Sequence, residues 1–308
     1  MFNKIIITDL PKAHGEIKGC WYSGYPIHSG HTKNSLNYAT LYSSQNHIIP
    51  DQKRLKADFD NFKKTFKLAG LNVQTLPFPE ELNQLDNLHH DAVFVRDSGF
   101  MFKNYWIKAS FSAKNRQMES EVYSSVMHKK FNKEVVELPE HAYLEFGEVF
   151  YLKTKNGTFY FGGLSRSNKK GHDFVKSIIK PDHYCLIKSE GYHLDTVFSP
   201  VLSNNNELIA FIIADNMLST ESLDRLRKFN IEMIYVDPID SSGEVGALGN
   251  YAINTFTAPG IMLNCAKFLT EGVEDKFKLL KIKRFISPLT DFRFAGGSYH
   301  CLTNEVYE

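Results

Sequence analysis

The 308-residue chain reads as an α/β protein. Three observations carry that reading. Short strand-like apolar runs alternate with segments of helical apolar spacing along the chain, the order that α/β folds show. Hydrophobic residues make up 43% and charged residues 23%, which fits a full core and excludes disordered, collagenous and coiled-coil classes. The longest apolar runs, such as residues 208–214, fall far short of the ~18–20 residues that span a bilayer.

The elements follow in order. The opening MFNKIIITDLPK holds a short apolar run and no small-residue cleavage pattern, so no secretory leader is read. Leu55, Phe59, Phe62 and Phe66 recur at helical spacing, and Gly70 is a natural stop. A strand over 73–76 is cut off by Pro77 and Pro79, and a second over 92–95 ends at Arg96-Asp97. Met118, Val122 and Val126 mark the next helix, and 135–138 the next strand. Residues 149–163 read as a hairpin, because VFYL and TFYF flank Asn156-Gly157. A helix over 173–179 stops before Pro181. Strands are predicted over 184–188, 194–198 and 208–213. Ser219 or Thr220 caps a helix through Arg227, and a strand follows over 231–236. The last elements are a strand over 261–264, a helix over 273–280 and a strand over 284–286. This alternation does not separate an open doubly wound sheet from a closed circular arrangement.

Lys+Arg is 36 against Asp+Glu 35, a net charge of +1, which argues against nucleic acid as the main partner. The four cysteines, Cys20, Cys185, Cys265 and Cys301, form no CxxC pair and are too sparse for a disulfide framework, so a reducing cytoplasm is expected. The pairs His89-His90 and His28/His31 lack Cys or acid partners at metal-ligand spacing, and no metal is expected. Dinucleotide, P-loop, zincin and GxSxG signatures are missing.

Four local features bear chemistry. Arg96-Asp97 closes a predicted strand, where α/β proteins place ligands; a surface ion pair is the plainer alternative. Glu145, before Gly147, could orient a cation or a histidine, or stand as an exposed loop acid. His193 and Asp195, two apart on a predicted strand, would share one face and offer a general base beside an anion for a cationic substrate. Cys301, after Gly296-Gly297, is a candidate nucleophile, although free cysteine is more often a small buried hydrophobe.

Together and in this order, these segments resemble the guanidino-group-modifying enzymes, which include arginine deiminase, dimethylarginine dimethylaminohydrolase, agmatine deiminase and the amidinotransferases. The family order is F-x-R-D, an E-G-G-D-like segment, H-[LI]-D and a C-terminal G-G-G-x-x-C. Here these are FVRD (94–97), EFGE (145–148), HLD (193–195) and AGGSYHC (295–301). FYFGGLSRSNKKG also resembles the family's V-G-x-S-x-R-T-N-x-x-G stretch, and GNYAINTF, around Asn254, a further segment of less certain role. The resemblance implies the pentein fold, a five-bladed α/β propeller of ββαβ-like units around a polar centre, as a single catalytic domain over 1–308. It implies Cys301 as nucleophile, His193 as general acid and then base, and Glu145 as the residue that orients His193 or shares the guanidinium. Asp97 and Asp195 would grip the guanidinium, and Arg166 the substrate carboxylate. No cofactor or metal is implied.

The implied reaction is hydrolysis of arginine or a methylated arginine to citrulline plus ammonia or methylamine, through a covalent thiouronium. Amidino transfer to an acceptor amine and agmatine-type deimination are the alternatives. A non-catalytic pentein binder is the remote one, and the retained Cys301 and His193 speak against it. The implied partner is a small guanidino substrate, with neither nucleic acid nor membrane expected and homo-oligomers left open. Some positions depart from the pattern. EFGE lacks one glycine and the aspartate, Ser298 replaces the third glycine, and Gly296 stands where some arginine deiminases have an arginine, with Arg293 nearby. The chain is short for an arginine deiminase, yet HLD favours the deiminase or amidinotransferase type. An aspartate on both terminal nitrogens prefers an unsubstituted guanidinium. A lid is read at 21–37 by position alone.

Overall fold

The computed structural model describes residues 2, 4–12, 37–84, 87–113, 116–244 and 246–308. Cys20, the His28/His31 pair and all of the expected lid except Asn37 lie outside the described residues.

The first strand, β1 (Lys4–Thr8), is followed by helices α1 (Tyr38–Gln45) and α2 (Gln52–Leu68) and strand β2 (Val73–Leu76). Then come β3 (Gly99–Phe102), β4 (Tyr105–Lys108), α3 (Gln117–Phe131) and β5 (Glu134–Val136). Next are β6 (Val149–Thr154), β7 (Gly157–Gly163), α4 (Lys169–Ile179) and β8 (His183–Ile187). The same order returns in β9 (Phe198–Leu202), β10 (Leu208–Ala214), α5 (Thr220–Arg227) and β11 (Glu232–Val236). It returns again in β12 (Phe256–Ala258), β13 (Ile261–Asn264), α6 (Val273–Leu279) and β14 (Lys283–Ile286), before β15 (Asn304–Tyr307).

Among the described residues one ββαβ pattern therefore recurs five times: an antiparallel strand pair, a helical crossover, and a third strand parallel to the second. The fifth copy is assembled from both ends of the chain, since β15 runs antiparallel to β1 and β1 parallel to β2. β15 also pairs parallel to β3, which fuses two units into a six-stranded sheet, β2-β1-β15-β3-β4-β5.

Local chemistry sets the crossovers. Asp51 caps α2 by accepting the N–H groups of Lys53 and Arg54 at 2.9 and 3.0 Å. The helix buries Leu55, Phe59, Phe62 and Phe66, as their spacing predicts, and Phe62 packs edge-on against Tyr299 at 4.9 Å. Asn168 caps α4 and Ser219 caps α5 in the same way. The hairpin expected over 149–163 is present, with Tyr151 opposite Tyr160.

Two expectations fail. Residues 92–95 are not a strand: His90–Val93 is a 3-10 turn, and Phe94 and Asp97 close further turns by donating to Asp91 and Phe94 carbonyls. These apolar residues are buried on all sides, so periodicity could not distinguish turn from strand. Likewise, 194–198 opens with a 3-10 turn, Leu194–Thr196, and the strand begins only at Phe198. Helix α3 is present where Met118, Val122 and Val126 mark it: Val122 and Val126 pack partly buried against the core, Met118 is exposed, and the fully buried positions are Glu119, Ser120, Tyr123, Ser124 and Met127. No described helix is long and apolar enough to cross a membrane.

Candidate active site

The five units place their polar residues by one rule. Asp97 lies just ahead of β3, Glu145 and Glu148 ahead of β6, His193 and Asp195 ahead of β9, Asn254 ahead of β12, and His300 and Cys301 ahead of β15. In every unit the segment entering the first strand supplies the site. These side chains are all buried, and they meet although up to 204 residues separate Arg96 from His300 along the chain.

Cys301 sits at the centre of one half. Its Sγ donates to Asp195 Oδ2 at 3.3 Å and accepts from Asn254 Nδ2 at 3.2 Å. Asn254 Oδ1 also accepts the backbone N–H groups of His300 and Cys301, at 3.1 and 3.3 Å, so one amide fixes the turn and the sulfur together. His300 Nδ1 shares Asp195 Oδ2 at 2.8 Å, and its ring stacks on Phe150 at 4.3 Å. Beneath the turn, Arg96 pairs with Glu305 at 2.5 Å and donates its backbone N–H to the Cys301 carbonyl at 3.2 Å.

His193 anchors the other half. Its Nε2 bonds Glu145 Oε2 at 2.8 Å, and its Nδ1 faces Asp97 Oδ1 at 3.6 Å. Glu145 Oε1 is held by the Ser112 N–H at 3.0 Å and hydroxyl at 2.8 Å. Asp97 Oδ2 takes Arg116 Nη1 at 2.8 Å, and Arg116 is itself forked onto Glu119. Arg166 stands 3.5 Å from Glu145 Oε2 with its guanidinium over the Tyr192 ring. Gly147 lies so close that a Cβ there would meet His193 Nδ1 at 2.5 Å and Asp97 Oδ1 at 2.8 Å. Asp97 Oδ1, His193 Nδ1 and Asp195 Oδ1 are buried with no hydrogen-bond partner among the described residues.

The electrostatics follow from this crowding. Burial pushes the Cys301 thiol well up, and the carboxylates of Asp195 and Asp97 push it further. Burial likewise raises Asp195 to about 7. Burial opposes charge on His193, but Asp97 and Glu145 outweigh it and hold the imidazole above its ordinary 6.5. Burial would raise Glu145, yet Arg166 and His193 reverse that and keep it far below the usual carboxylate range. Burial drives His300 well down, so its imidazole is neutral where it meets Asp195. The resting site thus couples an un-ionised thiol with a set of acceptors that a planar cation would complete.

The six residues expected at the site, Cys301, His193, Glu145, Asp97, Asp195 and Arg166, are brought together. The route differs from the expected one: His193 and Asp195 lie on a turn, not on alternate positions of a strand. Arg293 packs over Phe294, and at Gly296, with φ +87°, a Cβ would run into Asn37. Arg116, Glu119 and Ser112 lie outside every segment the sequence singles out, whereas Glu148 and His300 lie inside EFGE and AGGSYHC without a role read for them. Asn254 carried a signal through GNYAINTF.

Five ββαβ units around a buried cysteine, histidine and carboxylate cluster define a pentein of the guanidino-modifying superfamily. Residues 32–308 match the family model described as N,N dimethylarginine dimethylhydrolase, eukaryotic, and the chain belongs to that family. The chain is 26% identical over 221 residues to the bifunctional arginine dihydrolase/ornithine cyclodeaminase ArgZ of Synechocystis sp., covering 71% of this chain and 29% of the relative. AgrE of Nostoc sp., described in the same terms, is 25% identical over 221 residues with the same coverage. The chain thus spans 29% of the length of the curated relatives it matches. The crystal structure of the N-terminal domain of ArgZ bound to product superposes with a TM-score of 0.74 at 20% identity, covering 99% of this chain and 97% of that one. A dimethylarginine dimethylaminohydrolase adduct with 4-chloro-2-hydroxymethylpyridine gives 0.68 at 15% identity, covering 99% and 100%. These two likenesses concern the fold.

Proposed function

We propose that this protein hydrolyses the guanidinium of arginine or a methylated arginine, giving citrulline plus ammonia or methylamine, with Cys301 as nucleophile. The observation that carries this reading is the two buried carboxylate oxygens without a hydrogen bond, Asp97 Oδ1 and Asp195 Oδ1, in the cluster that holds Cys301 and His193. A guanidinium presents paired N–H donors in one plane, and two carboxylates can accept them while fixing that plane. The bound cation offsets the charge that keeps Cys301 protonated, so the thiolate forms as substrate binds and its proton leaves to solvent. Sulfur then bonds to the guanidinium carbon. His193, held protonated by its carboxylate neighbours, gives its proton to the departing amine as the C–N bond breaks. The neutral imidazole next takes a proton from water, whose oxygen adds to the thiouronium carbon. The C–S bond breaks and the hydroxyl proton leaves to solvent, giving the neutral ureido product and the thiolate. Glu145 orients His193 throughout, and Arg166 receives the substrate's carboxylate.

The descriptions of ArgZ and AgrE as arginine dihydrolases, and of the family as dimethylarginine hydrolases, support the reaction class. An aspartate bound at both terminal nitrogens favours the unsubstituted guanidine, since methyl groups remove its donors. The test is product analysis after incubation with L-arginine and, separately, asymmetric dimethylarginine, with no acceptor amine. Citrulline from L-arginine is expected, with Cys301→Ser reducing turnover by more than about 10³-fold while keeping the circular dichroism of the wild type. Turnover of neither guanidine by the wild type would overturn the reading, and activity retained by Cys301→Ser would overturn the nucleophile.

A further inference from the structure

Glu148 lies at the family segment's aspartate position and is fully buried, and its hydrogen bonds go to backbone N–H groups. Its Oε1 accepts the backbone N–H groups of Ser165 and Arg166 at 2.9 and 2.6 Å. Its Oε2 accepts the N–H of Leu194 at 2.8 Å. One carboxylate therefore joins the segment carrying Arg166 to the segment carrying His193 and Asp195. The room for it comes from Gly163, where a Cβ would lie 1.8 Å from Oε2. A few residues away, Glu145 bridges the same two segments by their side chains, with Arg166 at 3.5 Å and His193 at 2.8 Å.

We infer that Glu148 is a positioning residue, a backbone latch that sets the spacing between the substrate-tail arginine, Arg166, and the proton-transfer residue, His193. The inference rests on the roles proposed above for those two residues. It makes tail binding and chemistry depend on one side chain that hydrogen-bonds neither the Arg166 guanidinium nor the His193 ring. A longer carboxylate than aspartate works here because glycine stands at position 163. The latch is also costly to break from one side, because each oxygen serves a different segment and buried N–H groups need their acceptors.

The test compares the full chain with Glu148→Gln and Gly163→Ala, using L-arginine as probe. Glutamine keeps the size but turns one acceptor into an N–H facing another N–H. Alanine at 163 keeps the carboxylate and displaces it. Both variants are expected to raise KM and lower kcat together, each by about tenfold or more, as misplacement of reacting groups does. Arg166→Met should raise KM by more than it lowers kcat. Folded variants with wild-type KM and kcat would overturn the inference. So would a lower Tm with unchanged kinetics, which marks a purely structural role. Should Glu148→Gln fail to fold, Gly163→Ala carries the comparison. Should the wild type turn over no guanidine, the proposed function fails, and the latch is judged by the His193 ¹⁵N resonances. Loss of the His193–Glu145 hydrogen-bond signature in both variants supports it, and an unchanged signature overturns it.

Discussion

Cys301 is one of three described cysteines, all buried, and burial raises Cys185 and Cys265 to about 11. What separates Cys301 is company: two carboxylates and the Asn254 amide within its turn. Asn254→Ala should remove both the amide on sulfur and the acceptor for two backbone N–H groups. The expected loss is about 10- to 100-fold in kcat with little change in KM, read from steady-state kinetics. Asp195 makes a second prediction. Its folded-state value of about 7 exceeds its ordinary 3.8, so the fold binds that proton more tightly than the unfolded chain does. Stability from this group is fully present below pH 3.8 and is lost as pH rises through about 7. Asp195→Asn should therefore be more stable than wild type above pH 7, with the gain vanishing toward pH 4, as measured by urea unfolding across pH. The same variant should raise KM and lower kcat for arginine. The chemistry at this scale was legible: short motifs announced the six expected residues. Their partners were not, because nothing in the sequence pairs Arg116 with Asp97, or His300 with Asp195.

At the scale of elements, the site is built on turns that lead into strands. The 3-10 turn Phe146–Glu148 brings Gly147 against His193 and Asp97. Gly147→Ala should cost about 1–3 kcal/mol of stability by overpacking. It should also lower activity far more than that loss of folded protein explains, checked by comparing specific activity with Tm. Helix α2 shows how a legible element serves the site at a distance: Phe62 and Phe66 pack on Tyr299, two residues before Cys301. Its apolar spacing was plain in the sequence, whereas in α3 the spacing marked the helix but not its buried polar face. There Glu119 holds Arg116, and Ser124 accepts from Trp106 Nε1 at 3.1 Å. Periodicity reports apolar faces only, so a helix that faces a buried charge network gives no such signal. The same limit hid the 3-10 turns at 90–93 and 194–196, whose residues are all buried.

At the scale of the molecule, the two chain ends close the structure. β15 lies between β1 and β3 in the six-stranded sheet, and Tyr307 reaches Tyr151 of a neighbouring unit, its hydroxyl donating to the Tyr151 carbonyl at 2.6 Å. We propose that the chain folds as a single domain over 1–308. Urea unfolding should then show one transition, coincident by tryptophan fluorescence and circular dichroism, and two separated transitions would contradict it. Removal of residues 304–308 should abolish soluble folded protein, because it strips both neighbours of their hydrogen-bonding partner. By itself, the sequence determined the α/β class, most crossover helices and strands, and the six residues that meet in the buried cluster, since periodicity and short motifs are local properties. Only the tertiary structure decided the fivefold ββαβ repeat, the closing of the first unit by the last strand, and the convergence of five strand-entry segments on one cysteine. Those are long-range pairings, set by which strands and buried charges satisfy one another in space, and no window of sequence contains both partners.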